Sequence, residues 1–473
     1  MLKLDPPSQE MEHGVAAPSL GWLAEAFRAL RHRNYLLYFI GQFISITGSW
    51  IQTTALMWLT YKNTRMSSWP AAITAAQILP TFVLGVWAGS LADRWSKRWL
   101  IFATQTASLI LAVLLAGLVF LHLDDKWMLF AVALACGIVN GIDLPARMAF
   151  VVEMVGKDDL LNAVAFNSLL FNVARIVGPM MGASLLIVLE PLAGDAAPGW
   201  CFLLNGLSFF AVLGALLAMD PTRFTSAPPL RQRQTMRDGL SFLAARPWLL
   251  GLVLLSGSMA FFGWPVLALL PALADQHLNA GPRVYGTLLS AIGGGAVLAS
   301  MLVALFGSMH RRKVFFVGGI VLEVAGMALL ALARTEAMAL ACCALMGCGL
   351  ILFFATAQAV TQLSSGDHNR GLIMGVWSMV LCGAQPLGSL LAGWAADVWG
   401  VPAVLGVQAI GIAATGVGVL WVLRGDSFLF RNEIARPDLR LFRPDVSTAE
   451  VGVQGNREKE VKESSAAMHF TGD

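Results

Sequence analysis

Four ionisable side chains interrupt apolar stretches in which charge is otherwise scarce. They are Asp143, Arg147, Arg175 and Glu323, and each stands inside an apolar run long enough to cross a bilayer. A charge held inside a membrane is costly, so such a residue is a functional candidate by default. A carboxylate in this setting can bind and release a proton. We therefore predict Asp143 and Glu323 as proton-coupling candidates, with a permanently protonated, structural Glu323 as the alternative.

The residues that follow Arg175 add a second feature. The chain reads Arg175-Ile-Val-Gly178-Pro179-Met-Met-Gly182. Proline removes one backbone hydrogen bond and bends a helix, while glycines let a neighbouring helix pack closely. Arg175 and Asp143 lie at compatible depths, and we predict an ion pair between them. The pair would either face a cavity and couple ion binding to movement, or form an internal bridge.

A basic turn carries the strongest sequence motif. It reads Gly89-Ser-Leu-Ala-Asp93-Arg94-Trp-Ser-Lys97-Arg98. Gly89 permits close approach of helices, and Asp93 can face the positive N-terminal end of a neighbouring helix. Arg94 and Lys97 can pair with nearby carboxylates. The simpler interpretation is a basic turn that only fixes membrane topology.

Twelve apolar segments must position these residues. A helix needs about 20 mostly apolar residues to span a bilayer, and only helices and closed barrels satisfy their backbone groups in lipid. These runs are too long for barrel strands and do not alternate. The sequence predicts an all-α integral membrane protein with 12 transmembrane helices. The segments are residues 36–60, 71–92, 98–121, 127–149, 163–189, 199–219, 248–273, 284–307, 314–333, 337–362, 371–396 and 402–423.

The segments fall into two groups of six, separated by a linker rich in Pro and Arg. Gly89-Ser90 and Gly307-Ser308 each precede a basic turn, and Pro179 and Pro386 occupy corresponding segments. We predict two pseudo-symmetric six-helix bundles with a binding site between them near the midplane. The predicted parts are a cytoplasmic segment with an amphipathic helix (1–33), an N-terminal bundle (34–220), a cytoplasmic linker (221–247), a C-terminal bundle (248–423) and a disordered cytoplasmic tail (424–473).

The distribution of lysine and arginine sets the orientation. The short loops on one side hold most of these residues, and that side faces the cytoplasm. With an even number of segments, both termini are predicted to be cytoplasmic, in a multi-pass protein of the bacterial inner membrane. Tryptophans near segment ends are predicted to be interface anchors; these are Trp58, Trp69, Trp87 and Trp127.

Composition excludes several classes of protein. Charged residues make up 13% of the chain, about half the fraction in soluble domains, and the net charge of +3 does not indicate nucleic-acid binding. The six cysteines lie in apolar segments without metal-ligand spacing, and no phosphate-binding loop motif is present. We find no nucleophile–base pattern, so we predict a protein that is not an enzyme and needs no metal or cofactor.

The basic turn resembles the signature of the major facilitator superfamily, G-x-L-a-D-r-x-G-r-k, and departs from it at Ser96. The Gly178-Pro179 segment is similar to the G-P-x-x-G motif of the superfamily's exporters. The stretch from Asn140 to Asn167 resembles the branch that holds the enterobactin exporter and macrolide efflux proteins. The resemblance implies a conformational latch at Gly89, Asp93, Arg94, Lys97, Arg98 and Arg147. It also implies an export hinge at Arg175, Gly178, Pro179 and Gly182.

In this superfamily the cavity is lined mainly by spans 1, 4, 5, 7, 8, 10 and 11. The resemblance therefore gives polar and aromatic residues of those spans as cavity candidates. Such a lining suits a fairly large, amphipathic solute, although many of these groups could instead bond neighbouring helices. The candidates are Gln42, Thr47, Trp50, Gln52, Asn167, Asn172, Trp264, Gln358, Trp377 and Gln385.

The sequence thus predicts a secondary active exporter that exchanges protons for a small amphipathic molecule by alternating access. A siderophore-type cargo is favoured, and macrolide or multidrug efflux is the first alternative. A lipid flippase or a non-transporting sensor is the alternative from another class. The expected partners are a small-molecule substrate, protons and membrane lipid, with no nucleic acid, and the expected state is a monomer.

Overall fold

The computed structural model describes residues 27–156, 159–224, 236–306 and 312–422, in which every regular element is a helix. Side chains are not described for 85–94, 161, 168, 172, 236–237, 366–370, 420 and 422. The α-helices are α1 (Arg33–Thr64), α2 (Ser68–Arg94), α3 (Lys97–Phe120), α4 (Lys126–Val155), α5 (Leu160–Ala193), α6 (Ala197–Ala218), α7 (Met236–Ala244), α8 (Pro247–Phe262), α9 (Val266–Ala272), α10 (Pro282–Phe306), α11 (Arg312–Ala331), α12 (Glu336–Ser364), α13 (Gly366–Trp399) and α14 (Val401–Val422).

Local chemistry explains several helix ends. Helix α1 stops at Arg65, which has a left-handed φ of 55°, and α13 stops at Gly400, with φ of 82°. A residue with positive φ cannot continue a right-handed helix. Helix α4 begins after Asp125, whose carboxylate accepts a hydrogen bond from the Trp127 backbone N–H at 3.0 Å, a typical N-cap. Short turns therefore connect long antiparallel neighbours.

Within the described residues, nine stretches are long and apolar enough to cross a membrane. One of them, Asn162–Ala218, covers most of α5 and all of α6, and a shorter apolar stretch, Ser68–Leu84, lies in α2. Helix α1 has sufficient length but carries many polar residues, and it is not among the nine. The prediction of an all-helical membrane protein is confirmed, while the number of twelve spanning helices stays a prediction.

The helices pack in two sets with the same internal pattern. In the N-terminal set (α1–α6), α2 packs on α4, α1 packs on α5 and α6, and α3 packs on α4 and α6. In the C-terminal set (α8–α14), α10 packs on α12, α8 packs on α13 and α14, and α11 packs on α12 and α14. The main packing pairs of one set thus have counterparts in the other.

The two sets meet mainly along α2–α13 and α5–α10, and α9 also touches α1 and α2. Glycines make these approaches close. A Cβ on Gly286 of α10 would lie 1.7 Å from the Cβ of Ala183 in α5. A Cβ on Gly393 of α13 would lie 2.5 Å from that of Ala71 in α2. Helix backbones therefore come together where the sets join, and a larger side chain would separate them.

A break at Gly263–Pro265 interrupts the seventh apolar segment, between α8 and α9. Pro265 has no N–H to continue the ladder of backbone hydrogen bonds. After α9 the chain widens into a π-helix at Leu273–His277. The break places Trp264 at the boundary between the two sets.

Candidate functional site

Arg175 lies between the two sets, against two indole rings. Its guanidinium carbon is 5.9 Å from the ring centre of Trp50 in α1 and 5.6 Å from that of Trp264 at the α8–α9 break. These distances are typical of cation–π contacts. Its Nε atom is buried without a hydrogen-bond partner. Among the described residues, no carboxylate lies within ion-pair distance of Arg175.

A cavity of about 40 Å³ adjoins this arginine. Its wall combines Arg175, Trp50 and Trp264 with aliphatic side chains from both sets. The aliphatic and small residues are Pro179, Leu267, Leu289, Ile292, Gly293, Ala296, Gly347, Leu350 and Ile351. Among the described residues that line it, Arg175 is the one charged group in an otherwise apolar wall.

The Gly-Pro motif brings α5 close to α1. A Cβ on Gly178 would lie 2.3 Å from the Cβ of Trp50, and one on Gly182 would lie 3.2 Å from the Cα of Ile51. Pro179 is inside α5, lines the cavity, and is buried. The motif thus fixes the position of Arg175 relative to Trp50, while its role as a hinge stays a prediction.

Asp143 does not pair with Arg175, and the predicted ion pair was wrong. Asp143 instead forms an ion pair with Arg147, one turn further along α4. It also accepts hydrogen bonds from Thr104 at 2.5 Å and from Gln105 at 3.1 Å. A partner at i+4 on the same helix is close by geometry, so it outcompetes an arginine on another helix.

Arg147 extends this network to α1. Its Nη1 donates to the side-chain oxygen of Gln42 at 2.8 Å. The sequence predicts Arg147 in a latch with Asp93, but the side chains of Gly89, Asp93 and Arg94 lie outside the described residues. That contact stays a prediction.

The remaining basic residues of the turn bond within the N-terminal set. Lys97 pairs with Glu153 at 2.7 Å. Arg98 donates to the backbone oxygens of Leu216 at 2.8 Å and Leu217 at 3.3 Å. These contacts tie α3 to the ends of α4 and α6. We name this end of the bundle, which also holds the Asp143 network, the Arg147 end.

At the opposite end, here named the Arg65 end, two carboxylates of the C-terminal set bond the N-terminal set. Asp275 accepts a hydrogen bond from the Tyr61 hydroxyl at 3.0 Å and pairs with Arg65 at 2.6 Å. The pair raises the pKa of Arg65 above its ordinary value, because the carboxylate stabilises the charged guanidinium.

Asp397 forms the second of these cross-set contacts. Its carboxylate oxygens accept the backbone N–H groups of Ser67 at 2.5 Å and Ser68 at 3.1 Å, at the start of α2. A carboxylate at this position satisfies free N–H groups of a helix N-terminus and complements the helix dipole. Sequence reasoning missed both aspartates because each reads as an ordinary polar residue near a helix end.

Trp58 belongs to the same interface, so its prediction as a membrane-interface anchor was wrong. It is 8% exposed and stacks on Tyr285 of α10 with ring centres 5.9 Å apart. Trp127, by contrast, is 64% exposed, as an anchor requires, and contacts Trp69 edge to face. The side chain of Trp87 lies outside the described residues.

Glu323 is fully buried in α11, and neither carboxyl oxygen has a hydrogen-bond partner among the residues that the structure describes. The backbone at Glu323 packs tightly against Gly349 of α12. Its Oε1 points at the α8–α9 break, since a Cβ on Gly263 would lie 3.4 Å from it. The next residue after Gly263 is Trp264, so this carboxyl lies one residue from a group that contacts Arg175.

The other cavity candidates divide by environment. Gln52 is buried and accepts a hydrogen bond from Asn205 at 2.8 Å, while Thr47 donates to the Phe43 backbone oxygen at 2.7 Å. Trp377 contacts Phe354, which in turn contacts Trp264.

Four further predicted cavity residues are Asn167, Asn172, Gln358 and Gln385. Asn167 shares a second, narrow cavity with Gln42. Gln358 is exposed and Gln385 half-buried, and the Asn172 side chain lies outside the described residues. Of the cavity candidates whose side chains are described, Trp50 and Trp264 line the cavity beside Arg175.

Curated relatives cover most of the chain. The staphyloferrin A transporter of Staphylococcus aureus is 22% identical over 379 residues, 79% of this chain and 92% of its own. Macrolide efflux protein A of Streptococcus pyogenes is 23% identical over 390 residues, 78% and 92% of the two chains. The enterobactin exporter EntS of Escherichia coli is 22% identical over 403 residues, 85% and 94% of the two chains.

The fold also matches solved transporters. The crystal structure of the nucleoside transporter NupG has a TM-score of 0.64 at 14% identity, covering 83% of this chain and 99% of that one. A family described as transmembrane secretion effector matches residues 24–427. The chain therefore belongs to the transmembrane secretion effector family of the major facilitator superfamily and is a membrane transporter, not an enzyme.

Proposed function

We propose that this protein is a secondary active exporter that moves a small amphipathic molecule out of the cell in exchange for protons. A siderophore-type cargo is favoured, because two of the relatives described above are named for siderophores. Macrolide efflux is the alternative, and a relative of similar identity favours it. The protein would act as a monomer surrounded by membrane lipid.

Twelve transmembrane helices fit this proposal. Of the nine apolar stretches in the described residues, Asn162–Ala218 holds two spans and Pro247–His277 holds one broken span of α8 and α9, which gives ten, and α1 and the apolar part of α2 supply two more. The N-terminal set and the C-terminal set would be the two pseudo-symmetric bundles. Both termini and the Arg147 end would face the cytoplasm, and the Arg65 end would face outward, as the placement of basic loop residues favours.

The observation that carries the proposal is the pair of carboxylates that joins the sets at the Arg65 end. Asp275 and Asp397 join the sets at the Arg65 end. At the Arg147 end, the pairs Asp143–Arg147 and Lys97–Glu153 lie inside the N-terminal set. This arrangement suits a carrier closed to the outside, in which the sets rock about the cavity beside Arg175.

We assign proton coupling to Glu323 rather than to Asp143. Asp143 is already neutralised by Arg147 and bonded by Thr104 and Gln105, so a proton would have to displace existing partners. Glu323 has no such partners, and a buried unpaired carboxylate is costly unless it binds a proton. Its position against Gly263 lets protonation act on the segment that carries Trp264.

The turn residues Gly89, Asp93, Arg94, Lys97 and Arg98 would form the latch of the cytoplasmic side. They would hold the sets together when the Arg65 end opens. Arg147 would then act through Asp143 and Gln42, its partners in this state. The hinge of Arg175, Gly178, Pro179 and Gly182 would bend as α5 moves.

Transport by inverted membrane vesicles tests the proposal. We expect an imposed proton gradient to drive uptake of enterobactin or staphyloferrin A, and Glu323→Gln to lose the dependence on the gradient. Asp143→Asn, which keeps a side chain of the same shape, should retain that dependence. Uptake of erythromycin alone would transfer the assignment to macrolide efflux.

Absence of gradient-driven movement for all three compounds would contradict the exporter proposal. A gradient dependence that survives in Glu323→Gln but is lost in Asp143→Asn would contradict the assignment of the proton site. Expression and gel-filtration profiles of each variant show whether the protein is folded.

A further inference from the structure

We propose that Arg175 is the anion-recognising residue of the central cavity, and that the cargo carries a carboxylate or phenolate next to a flat apolar body. This inference rests on the proposed export function and names the chemical class of its substrate.

Arg175 differs from some other buried basic residues in lacking an acidic partner among the described residues. Two other basic residues at helix–helix contacts have acidic partners: Arg147 has Asp143, and Lys97 has Glu153. Arg175 has no acidic partner in the described part of the chain, and its Nε is buried and unbonded. An uncompensated charge in such a place is costly, so a bound anion would relieve a cost that the folded protein otherwise bears.

The indole rings of Trp50 and Trp264 hold Arg175 without using its hydrogen-bond donors. Cation–π contacts with Trp50 and Trp264 use the face of each aromatic ring. They do not consume the in-plane N–H groups of a guanidinium, which match the two oxygens of a carboxylate. Arg175 therefore retains donors for a ligand while the indoles hold its position.

The rest of the cavity wall favours an organic anion with an apolar body. Apart from Arg175, the residues that line the cavity are apolar or aromatic. One cation in an apolar space suits an amphipathic organic anion better than a strongly hydrated ion or a neutral sugar. The present volume of about 40 Å³ admits a water molecule or a chloride ion but no siderophore. The sets must therefore move apart before cargo enters.

Binding of an anion at Arg175 would be coupled to the movement of the two sets. Arg175 and Trp50 belong to the N-terminal set, while Trp264 belongs to the C-terminal set. An anion at Arg175 would touch both sets in one state and fewer groups in another. Such a difference in affinity is what a ligand needs to shift a conformational equilibrium.

Thermal unfolding of the purified, full-length protein in detergent tests the proposal without transport. The probes are salicylate, the neutral analogue salicylamide of nearly the same shape, and chloride. We expect salicylate to raise the midpoint by about 2 °C or more at saturating concentration, and salicylamide and chloride to have little effect. Arg175→Gln should lose the salicylate shift, and Arg175→Lys should keep less than half of it, since lysine offers no planar pair of donors.

Lys126→Gln is the matched control. Lys126 also lies over an indole, that of Trp69 at 5.2 Å, but away from the cavity, so this variant should show the full salicylate shift. Gel filtration confirms folding of each variant, and Trp264→Phe, which keeps the arginine, should retain part of the shift.

Three results would overturn the proposal: no salicylate shift in the wild-type protein, an equal shift with salicylamide, or an unchanged shift in Arg175→Gln. A chloride shift as large as that of salicylate would assign the site to inorganic anions and overturn the cargo class. Salicylate binding without transport would refute export and leave the anion site standing. Transport of erythromycin without salicylate binding would refute the anion site and leave export standing.

Discussion

The two ends of the helix bundle are bonded in different ways. At the Arg65 end, Asp275 and Asp397 of the C-terminal set hold groups of the N-terminal set. At the Arg147 end, the described bonds of Asp143 and Lys97 remain inside the N-terminal set. The bonds of Asp143 and Lys97 therefore stabilise the N-terminal set itself, whereas those of Asp275 and Asp397 hold the two sets together.

This comparison assigns different consequences to breaking each kind of bond. Loss of a bond within a set should lower the stability of the folded protein. Loss of a bond between sets should leave each set intact and change which end of the bundle is open.

The largest effect is expected from removing one partner of the buried pair at the Arg147 end. Arg147→Met leaves Asp143 charged and buried without its counter-ion, and breaking such a pair costs about 3–5 kcal/mol. We expect the unfolding midpoint to fall sharply and Asp143→Asn in the same chain to restore much of it. Denaturation in detergent measures both, and equal stability of single and double variants would show that the pair is not coupled.

A smaller effect is expected at the Arg65 end. Asp397→Ala removes a charged acceptor from the N–H groups of Ser67 and Ser68, worth about 1.5–3 kcal/mol. Because opening would expose these groups, their hydrogen exchange should become at least about tenfold faster. Mass spectrometry of the α1–α2 turn measures the rate. Asp397→Asn keeps an oxygen acceptor, so its exchange rate should lie between the rates of the wild-type protein and the alanine variant. An unchanged exchange rate in the alanine variant would contradict a role for Asp397 in this interface.

Glycines at helix contacts separate packing between the sets from packing within a set. Gly286→Val adds bulk between sets, where Ala183 lies opposite, and Gly326→Val adds bulk within the C-terminal set, near Met346. The first strain can be relieved if the sets separate, but the second must be absorbed in a packed interior at a cost of about 1–3 kcal/mol. We therefore expect a lower melting temperature mainly for Gly326→Val. An equal loss in both variants would mean that the sets do not move independently.

The smallest effect concerns the exposed pairs of Asp159, which accepts a hydrogen bond from His32 at 2.8 Å and pairs with Arg28 at 3.0 Å. These partners lower the pKa of Asp159, the hydrogen bond from His32 most of all. A lowered pKa stabilises the folded state above the unfolded value of about 3.9 and loses that contribution as pH falls below it. We expect Asp159→Asn to have a slight effect on thermal unfolding at pH 7 and a smaller one near pH 3, and a larger effect at pH 3 would contradict this sign.

Much of the fold could be predicted from the sequence, because lipid imposes a length and polarity on each spanning helix. The resemblance carried by the turn after Gly89 led to the correct superfamily. Trp50 and Trp264 line the cavity beside Arg175, and their contact with cargo stays a prediction.

The pairing of charges was harder to predict. Arg147 follows Asp143 by four residues, and that spacing was a visible signal for their ion pair. The contacts of Asp275 and Asp397 depend on how two distant groups of helices meet, which no local pattern encodes. Trp58 was misassigned for the same reason, since a tryptophan near a segment end suits both lipid and a helix interface.

Spin labels at the Arg65 end give the most direct measurement. Labels on His122→Cys and Arg334→Cys report the separation of the two sets, in a chain whose six native cysteines are replaced by alanine. His122→Cys with Asp195→Cys reports a distance within the N-terminal set. We predict a single His122–Arg334 distance for the parent chain, and a second, longer population when Asp275 and Asp397 are both changed to alanine, with the His122–Asp195 distance unchanged. An identical His122–Arg334 distribution in both chains would contradict the assignment of these aspartates as the bonds that close this end.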